Sequence, residues 1–214
     1  MRIKVCGLTL IRDLRLAEWA GAEYVGFVVE APSPRAVTAT VAAMLARAAR
    51  ARRVYVVVDM LPDRLIELVR RQRPDAIQLH GHETPDELHQ LHEALGEVEA
   101  WKALALTERR KDILVAANEY VKAGAARIVL DMRIGGRGAE ASPTVDFDLA
   151  AELVRQIPVP CVVAGGLRPD TLAEAWEKVR PWALDISSGL EEAPGRKSPA
   201  LMQQLRTLLL GASA

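Results

Sequence analysis

Two residues of this sequence carry side chains that could move a proton, and each comes at the end of a short apolar run. Cys6 follows "RIKV", and Asp131 ends "RIVLD". A cysteine can act as a base or a nucleophile where nearby positive charge lowers its pKa. A carboxyl group in poorly solvated surroundings can stay protonated and serve as an acid. The alternatives are a small buried hydrophobe for Cys6, as we expect for Cys161, and a helix cap or an ion pair with Arg133 for Asp131.

Three more polar residues follow apolar runs and could bind a ligand. Arg35 comes after Ser33 and Pro34, and an arginine can hold a planar carboxylate with two hydrogen bonds. A solvated surface arginine is an equally good interpretation. His80 and Asp185 also come near the ends of apolar runs, where they could touch a bound substrate.

Eight apolar runs alternate with helical patterns along the chain. Most runs are near-continuous, which is typical of strands buried on both faces of a parallel sheet. The predicted strands are "IKVCG" from Ile3, "YVGFVVE" from Tyr24, "RVYVVVD" from Arg53, "AIQLHG" from Ala76, "VEAWKALAL" from Val98, "RIVLDM" from Arg127, "CVVAGG" from Cys161 and "WALDISSG" from Trp182. Their order predicts an α/β fold, a parallel eight-stranded TIM (β/α)8 barrel, as a single domain over residues 1–214. An open doubly wound sheet is the alternative, although no GxGxxG follows the first strand.

Helix-start signals precede several of the helical patterns. Thr84, Pro85 and Glu87 predict a capping box with proline at the first helical position. The alanine-rich segment 37–52 has apolar residues at helical spacing, so we expect it to be helical throughout.

Two glycine-bearing segments follow the last two predicted strands. They are "AGGLRPD" after the seventh and "ISSGLEEAPGRKSP" after the eighth. Many barrels build a phosphate site at this position, because glycine lets the backbone approach the phosphate and a helix N-terminus supplies N–H donors. Two ordinary turns are the alternative. We expect phosphate binding at Gly165, Gly166, Ser187, Ser188 and Gly189.

All four histidines fall in "LHGHETPDELHQLH", which raises the possibility of a metal site. However, His89 and His92 lie inside the predicted fourth helix, away from the strand end. Four such ligands could not converge without breaking that helix, and no other residues have a zinc-like spacing. We therefore expect no metal.

Composition narrows the class of protein. Of the 214 residues, 50% are hydrophobic and the formal net charge is zero, so nothing indicates a nucleic-acid or membrane surface. No signal peptide is evident, and no apolar run approaches the roughly 18–20 residues that span a bilayer. Two cysteines do not make a disulfide framework. We expect a cytoplasmic protein that is a monomer or a homodimer.

Taken in order, the motifs resemble those of the phosphoribosylanthranilate isomerases of tryptophan biosynthesis, over nearly the whole chain. The motifs that carry the resemblance are "KVCGLT" at Lys4, "GFVVEAPSPR" at Gly26, "QLHG" at Gln78, "WKAL" at Trp101, "VLD" at Val129, "AGGL" at Ala164 and "DISSGLEEAPGRK" at Asp185. Singly several are weak, but their order on successive strands is specific.

The resemblance implies an Amadori rearrangement of N-(5-phosphoribosyl)anthranilate, an aminoaldose, to an aminoketose, with no cofactor and no metal. It implies that Cys6 is the general base and Asp131 the general acid. It further implies a small-molecule phosphosugar substrate, with Arg35 in contact with the anthranilate part and the loops after the last two strands holding the phosphate.

One region departs from the family pattern. After Asp131 the chain reads "MRIGGRGAEASPTVDFDLA", with Ala139 where lysine is common and Leu149 where tryptophan is common. The loop also looks longer. Loops of this kind often close over the substrate, so we expect the altered segment 133–146 to affect substrate identity, closure and rate more than fold.

Three other functions remain open on the sequence. One is a paralogous enzyme acting on another phosphorylated aminosugar. A second is a different phosphosugar reaction, such as that of an epimerase or a synthase, for which Lys102 would be the residue to test. The third is a non-catalytic phosphosugar-binding barrel.

Overall fold

The computed structural model describes residues 1–106, 109–131 and 146–211, and within them eight parallel strands alternate with eight helices. The strands are β1 (Ile3–Val5), β2 (Tyr24–Val29), β3 (Arg52–Val57), β4 (Ala76–Leu79), β5 (Glu99–Ala105), β6 (Arg127–Asp131), β7 (Cys161–Ala164) and β8 (Ala183–Ile186). The helices are α1 (Ile11–Ala20), α2 (Ala39–Ala48), α3 (Pro62–Gln72), α4 (Pro85–Leu95), α5 (Arg110–Lys122), α6 (Phe147–Gln156), α7 (Leu172–Val179) and α8 (Pro199–Gly211).

The sheet closes on itself through β1. Each strand pairs in parallel with the next, and β1 pairs with both β2 and β8. Lys4, in the middle of β1, lies opposite Tyr24 on one side and Asp185 on the other. The predicted (β/α)8 barrel is therefore confirmed, with every predicted strand in its place.

Three shorter strands lie outside the predicted pattern. Ala36–Val37 adds to the edge of β2. A one-turn 3-10 helix, Ser188–Leu190, follows β8 and leads into an antiparallel hairpin of Glu191–Ala193 with Arg196–Lys197. The hairpin matters for function because it returns two charged residues to the end of the barrel at which the strands finish.

Capping residues and strand pairing determine where helices α2 and α4 begin and end. Thr84 and Glu87 form the predicted capping box at the start of α4. The prediction of a helix throughout 37–52 was too long, because Thr38 caps α2 by accepting a hydrogen bond from the backbone N–H of Val41. At the other end, Arg52 enters β3 and pairs with Tyr24, so it cannot be helical.

Side chains fill the barrel at the end where the strands begin. Tyr24, Trp101 and Trp182 pack edge to face or tilted, with ring centroids 5.3–5.8 Å apart, as is favourable for aromatic pairs. A smaller buried cluster of Cys6, Val28 and Val56 lies further along the strands. The interior is thus a packed core, and the room for a ligand lies above it, at the carboxyl ends of the strands.

No helix among the described residues is both long and apolar enough to cross a membrane.

Candidate active site

A cavity of about 350 Å³ opens at the carboxyl ends of the strands. Inward-facing residues recur every second position along a strand, which brings Cys6, His80 and Asp131 to the same face of three different strands. The structure places nine of the ten predicted site residues on the wall of this cavity. They are Cys6, Arg35, His80, Asp131, Gly165, Gly166, Asp185, Ser187 and Ser188.

Cys6 lies directly beyond β1 and is 8% exposed. Its thiol occupies space that a side chain on the neighbouring strand would fill, because a Cβ atom on Gly26 would lie 2.6 Å from the Cys6 Sγ. Gly7 then turns the chain away with a φ of +73°, and a Cβ atom there would lie 2.6 Å from Cδ of Arg35. Glycine at both positions therefore makes room for the proposed base and for the arginine beside it.

The pKa of the Cys6 thiol reflects opposing effects. Burial raises this pKa, the positive charges of Lys4 and Lys197 lower it, and the negative charge of Asp185 raises it, with a net increase above the ordinary value. Lys4 lies on β1, two residues before the thiol, whereas Lys197 comes from the hairpin after β8. By contrast, only burial acts on Cys161, and it raises the pKa of that thiol to about 12.

Lys4 is fully buried and ties two strands together. Its Nζ donates to Oδ2 of Asp185 at 2.5 Å and to Oε1 of Gln78 at 3.0 Å. Burial lowers the Lys4 pKa, but Asp185 and Cys6 together outweigh burial and raise it above the ordinary value. Lys4 therefore stays an ammonium ion. The second carboxylate oxygen of Asp185, Oδ1, is buried and has no hydrogen-bond partner among the described residues.

Asp131 ends β6 and faces His80, with Oδ2 3.3 Å from Nε2 of the imidazole. Nδ1 of the same ring lies 2.8 Å from Nε2 of Gln78. One neighbour of Asp131 is thus a histidine that lies directly beyond β4. The sequence did not point to this pair, although the every-second-residue pattern in "QLH" places Gln78 and His80 on one face.

Arg35 is held by a carboxylate that the sequence analysis did not single out. Its Nε donates to both carboxylate oxygens of Glu191, at 2.9 and 3.1 Å, and its Nη2 donates to Oε2 at 2.6 Å. Glu191 also accepts from Nζ of the buried Lys197 at 3.0 Å. Burial raises the Glu191 pKa, but Arg35 and Lys197 outweigh burial and lower it. Arg35 is therefore a positioned residue, not a solvated surface arginine.

The glycine-bearing loops after β7 and β8 lie side by side. Gly165 and Gly166 have φ values of 88° and 72°, a backbone conformation that favours glycine. Ser187 donates from Oγ to the backbone oxygen of Cys6 at 3.2 Å. Gly189 does not line the cavity. A Cβ atom there would collide with the backbone oxygen of Leu167, so this glycine allows the two loops to touch.

The other charged residues near this rim have structural partners. Lys102 donates to Oε2 of Glu83 and to the backbone oxygen of Gly81, both at 2.7 Å, and does not line the cavity. His82 pairs with Asp59 on the surface.

No group of three or more His, Cys, Asp or Glu side chains in the described part of the chain could hold a metal ion. The altered segment 133–146 lies outside the described residues except for Asp146, which caps α6.

A closed (β/α)8 barrel with a polar cavity at the carboxyl ends of its strands defines the class: the barrel enzymes, whose active sites lie at this end. Residues 3–207 match the family described as N-(5'phosphoribosyl)anthranilate (PRA) isomerase. The chain belongs to this family and is an isomerase.

Individual relatives agree over nearly the full length. The N-(5'-phosphoribosyl)anthranilate isomerase of Natronomonas pharaonis is 39% identical, covering 92% of this chain and 91% of the relative. The crystal structure of phosphoribosyl anthranilate isomerase from Thermus thermophilus is 32% identical, covers 99% of this chain and all of that one, and superposes with a TM-score of 0.80. A second isomerase, in complex with reduced 1-(o-carboxyphenylamino)-1-deoxyribulose 5-phosphate, is 28% identical, covers 99% of each chain and has a TM-score of 0.82.

Proposed function

We propose that this chain converts N-(5-phosphoribosyl)anthranilate to 1-(o-carboxyphenylamino)-1-deoxyribulose 5-phosphate by general acid–base catalysis, as a step of tryptophan biosynthesis. The observation that carries the proposal is the placement of Cys6 and Asp131. They reach one cavity from β1 and β6, beside two glycine-bearing loops. A proton donor and a proton acceptor thus face the same small volume, next to backbone suited to a phosphate.

The first step opens the ribose ring. Asp131, in its protonated form, donates a proton to the ring oxygen, the bond between this oxygen and C1′ breaks, and the anthranilate nitrogen forms a protonated Schiff base with C1′. The second step removes the C2′ proton, which the Schiff base has made acidic. The thiolate of Cys6 takes this proton, and the resulting enolamine tautomerises to the ketone with a proton added at C1′.

Arg35 and Asp185 supply contacts that orient the substrate. Glu191 holds the guanidinium of Arg35 along Nε and Nη2, which leaves Nη1 directed away from that pair to bind the anthranilate carboxylate. The buried Oδ1 of Asp185 is an acceptor that a sugar hydroxyl can satisfy. The phosphate binds the glycine-bearing loops, and its binding energy fixes the sugar in the reactive pose.

Genetic complementation tests this function. A tryptophan auxotroph that lacks the isomerase should grow without tryptophan when it expresses the wild-type chain. Expression of Cys6→Ser or Asp131→Asn should not restore growth, although immunoblots of the soluble fraction show equal amounts of protein. Failure of the wild-type chain to restore growth, at the same expression level as a positive-control isomerase, would count against the proposed substrate.

A further inference from the structure

Five polar side chains form a continuous row across the mouth of the barrel, joined by three hydrogen bonds and one closer-than-4 Å contact between an imidazole and a carboxylate. The row runs from Asp185 on β8 to Lys4 on β1, then to Gln78 on β4, to His80 beyond β4 and to Asp131 on β6. The first three pairs are hydrogen bonds of 2.5, 3.0 and 2.8 Å. Nε2 of His80 lies 3.3 Å from Oδ2 of Asp131. Lys4 and Gln78 are 0% and 1% exposed, so water does not compete for their hydrogen bonds.

The hydrogen bonds of this row are consistent with only one assignment of donors and acceptors. Lys4 is an ammonium ion with N–H donors and no acceptor, so the oxygen of the Gln78 amide must face it. The amide nitrogen of Gln78 then faces His80, and this nitrogen only donates. Nδ1 of His80 must therefore be the unprotonated nitrogen. The single proton of the neutral ring is then on Nε2, the nitrogen that lies 3.3 Å from Oδ2 of Asp131.

We propose that Gln78 is a positioning residue that holds His80 as the neutral Nε2–H tautomer, and that His80 in this form is a hydrogen-bond donor to Asp131 and not an acceptor. Protonation of Nδ1 would set two donors, this N–H and the Gln78 amide, against each other across 2.8 Å. The orientation of the amide is set in turn by Lys4 on β1, a strand that β2 and β3 separate from β4.

The catalytic consequence rests on the proposed function, in which Asp131 must hold a proton and give it to the substrate. An Nδ1–H tautomer would present Nε2 as an acceptor, and Asp131 would then donate its proton to His80. A doubly protonated ring would place a positive charge beside Asp131 and favour the carboxylate. The neutral Nε2–H tautomer accepts no proton from Asp131 and adds no positive charge beside it. Asp131 can therefore hold its proton on the oxygen that does not face His80 and give it to the ring oxygen.

The charged and titratable groups around the pair come from four parts of the barrel. Lys4 and Asp185 lie beyond Gln78, where their opposite charges are paired. The remaining groups on the wall of the same cavity are Cys6 at the end of β1 and Arg35 in the loop after β2, which is paired with Glu191. The described carboxylate nearest to the imidazole is therefore that of Asp131.

Nitrogen-15 NMR of protein labelled at histidine tests the tautomer directly and needs no activity. The chain has four histidines, and His80 is assigned as the set of signals that His80→Gln removes. We expect Nδ1 of His80 at the chemical shift of an unprotonated nitrogen and Nε2 at that of a protonated one, at neutral pH. A protonated Nδ1 in the wild type, alone or together with Nε2, would overturn the proposal.

Variants at position 78 test the cause. Gln78→Leu should give His80 a mixture of tautomers. Gln78→Glu places an acceptor at Nδ1 and should give a ring protonated on both nitrogens. Gln90→Leu is the matched control, because Gln90 is exposed on α4, and it should leave the His80 signals unchanged. Unchanged His80 signals in both position-78 variants would show that Gln78 does not set the tautomer.

Kinetics separate this inference from the proposed function. If the wild type turns over the substrate, Gln78→Leu should lower kcat about tenfold, a part of the roughly 10²–10⁴-fold that a general acid contributes, with a smaller change in KM. A wild-type kcat in that variant, despite altered His80 signals, would refute the link to Asp131. If the wild type has no activity, the proposed function fails, and the NMR result on the tautomer still stands by itself.

Discussion

At the scale of the residue, the pKa of the buried Cys6 thiol depends on the charges of its neighbours. Burial raises its pKa, two lysines lower it, and Asp185 raises it. Because the lysines do not fully offset burial, the thiol form prevails at neutral pH. Each neighbour has a contribution of known sign, so replacing one of them should move the thiol pKa in a direction that can be stated in advance.

The raised pKa predicts the pH dependence of catalysis. In the proposed mechanism the thiolate of Cys6 removes the C2′ proton. This form becomes more abundant as the pH rises towards and past the ordinary cysteine value of about 8.5. We therefore expect kcat/KM to increase with pH through the range 7 to 9. Initial rates in buffers of constant ionic strength measure it. A profile that falls steadily over this range would contradict the role of the thiolate.

Asp185→Asn should lower the pKa of Cys6. The aspartate raises that pKa through its negative charge, and asparagine removes the charge while keeping an oxygen that can accept from Lys4. Thiolate absorbance near 240 nm, followed against pH, reports the change. Cys161 is an internal control, since its pKa of about 12 keeps it out of the titration. A higher Cys6 pKa in the variant would show that the charge of Asp185 is not what acts on the thiol.

At the scale of the element, the strands position the side chains of the site, and glycines in a strand and a turn leave room for them. The thiol of Cys6 fits only because its neighbour on β2 is Gly26, and Arg35 fits only because the turn after β1 contains Gly7. The hairpin after β8 adds Glu191 and Lys197, which fix Arg35 and add charge near the thiol. Residues far apart in the chain thus reach the site through three kinds of element.

Gly26→Ala tests the space requirement. The new methyl group would meet the Cys6 sulfur at 2.6 Å, and overpacking of this kind typically costs about 1–3 kcal/mol of stability. We expect a lower free energy of unfolding in urea and a loss of activity, because the sulfur must move. Gly211→Ala is the control, because no described atom outside its own helical turn lies within 4 Å of the added group, and it should be at least as stable as the wild type. Equal stability of Gly26→Ala and the control would show that the strand tolerates a side chain there.

At the scale of the whole molecule, the sequence predicted those features of the fold that depend on residues close together in the chain. Eight apolar runs, their order and the capping box at Thr84 follow from residues near one another in the chain, and the structure confirms them. Cys6, His80 and Asp131 each come at the end of a predicted strand. This position was enough to predict that they share one cavity, because the carboxyl ends of barrel strands meet at one rim.

The sequence did not predict contacts that depend on long-range geometry. The partner of Arg35 is 156 residues away, and Lys4 and Asp185 are 181 residues apart. Nothing local distinguishes Glu191 and Lys197 from the other charged residues of "GLEEAPGRKSP". The helix expected over 37–52 was too long for a related reason, since the pairing of Arg52 with β2 overrides its helical surroundings.

The central claim is that Cys6 and Asp131 are the base and the acid of one isomerisation, and the turnover of three purified proteins tests it most directly. The substrate is fluorescent, so its disappearance gives kcat for the wild type, for Cys6→Ser and for Asp131→Asn. We predict measurable turnover by the wild type and a loss of at least about 10²-fold in each variant, the usual contribution of a general acid or base, with unchanged circular dichroism. Wild-type turnover in both variants would contradict the account.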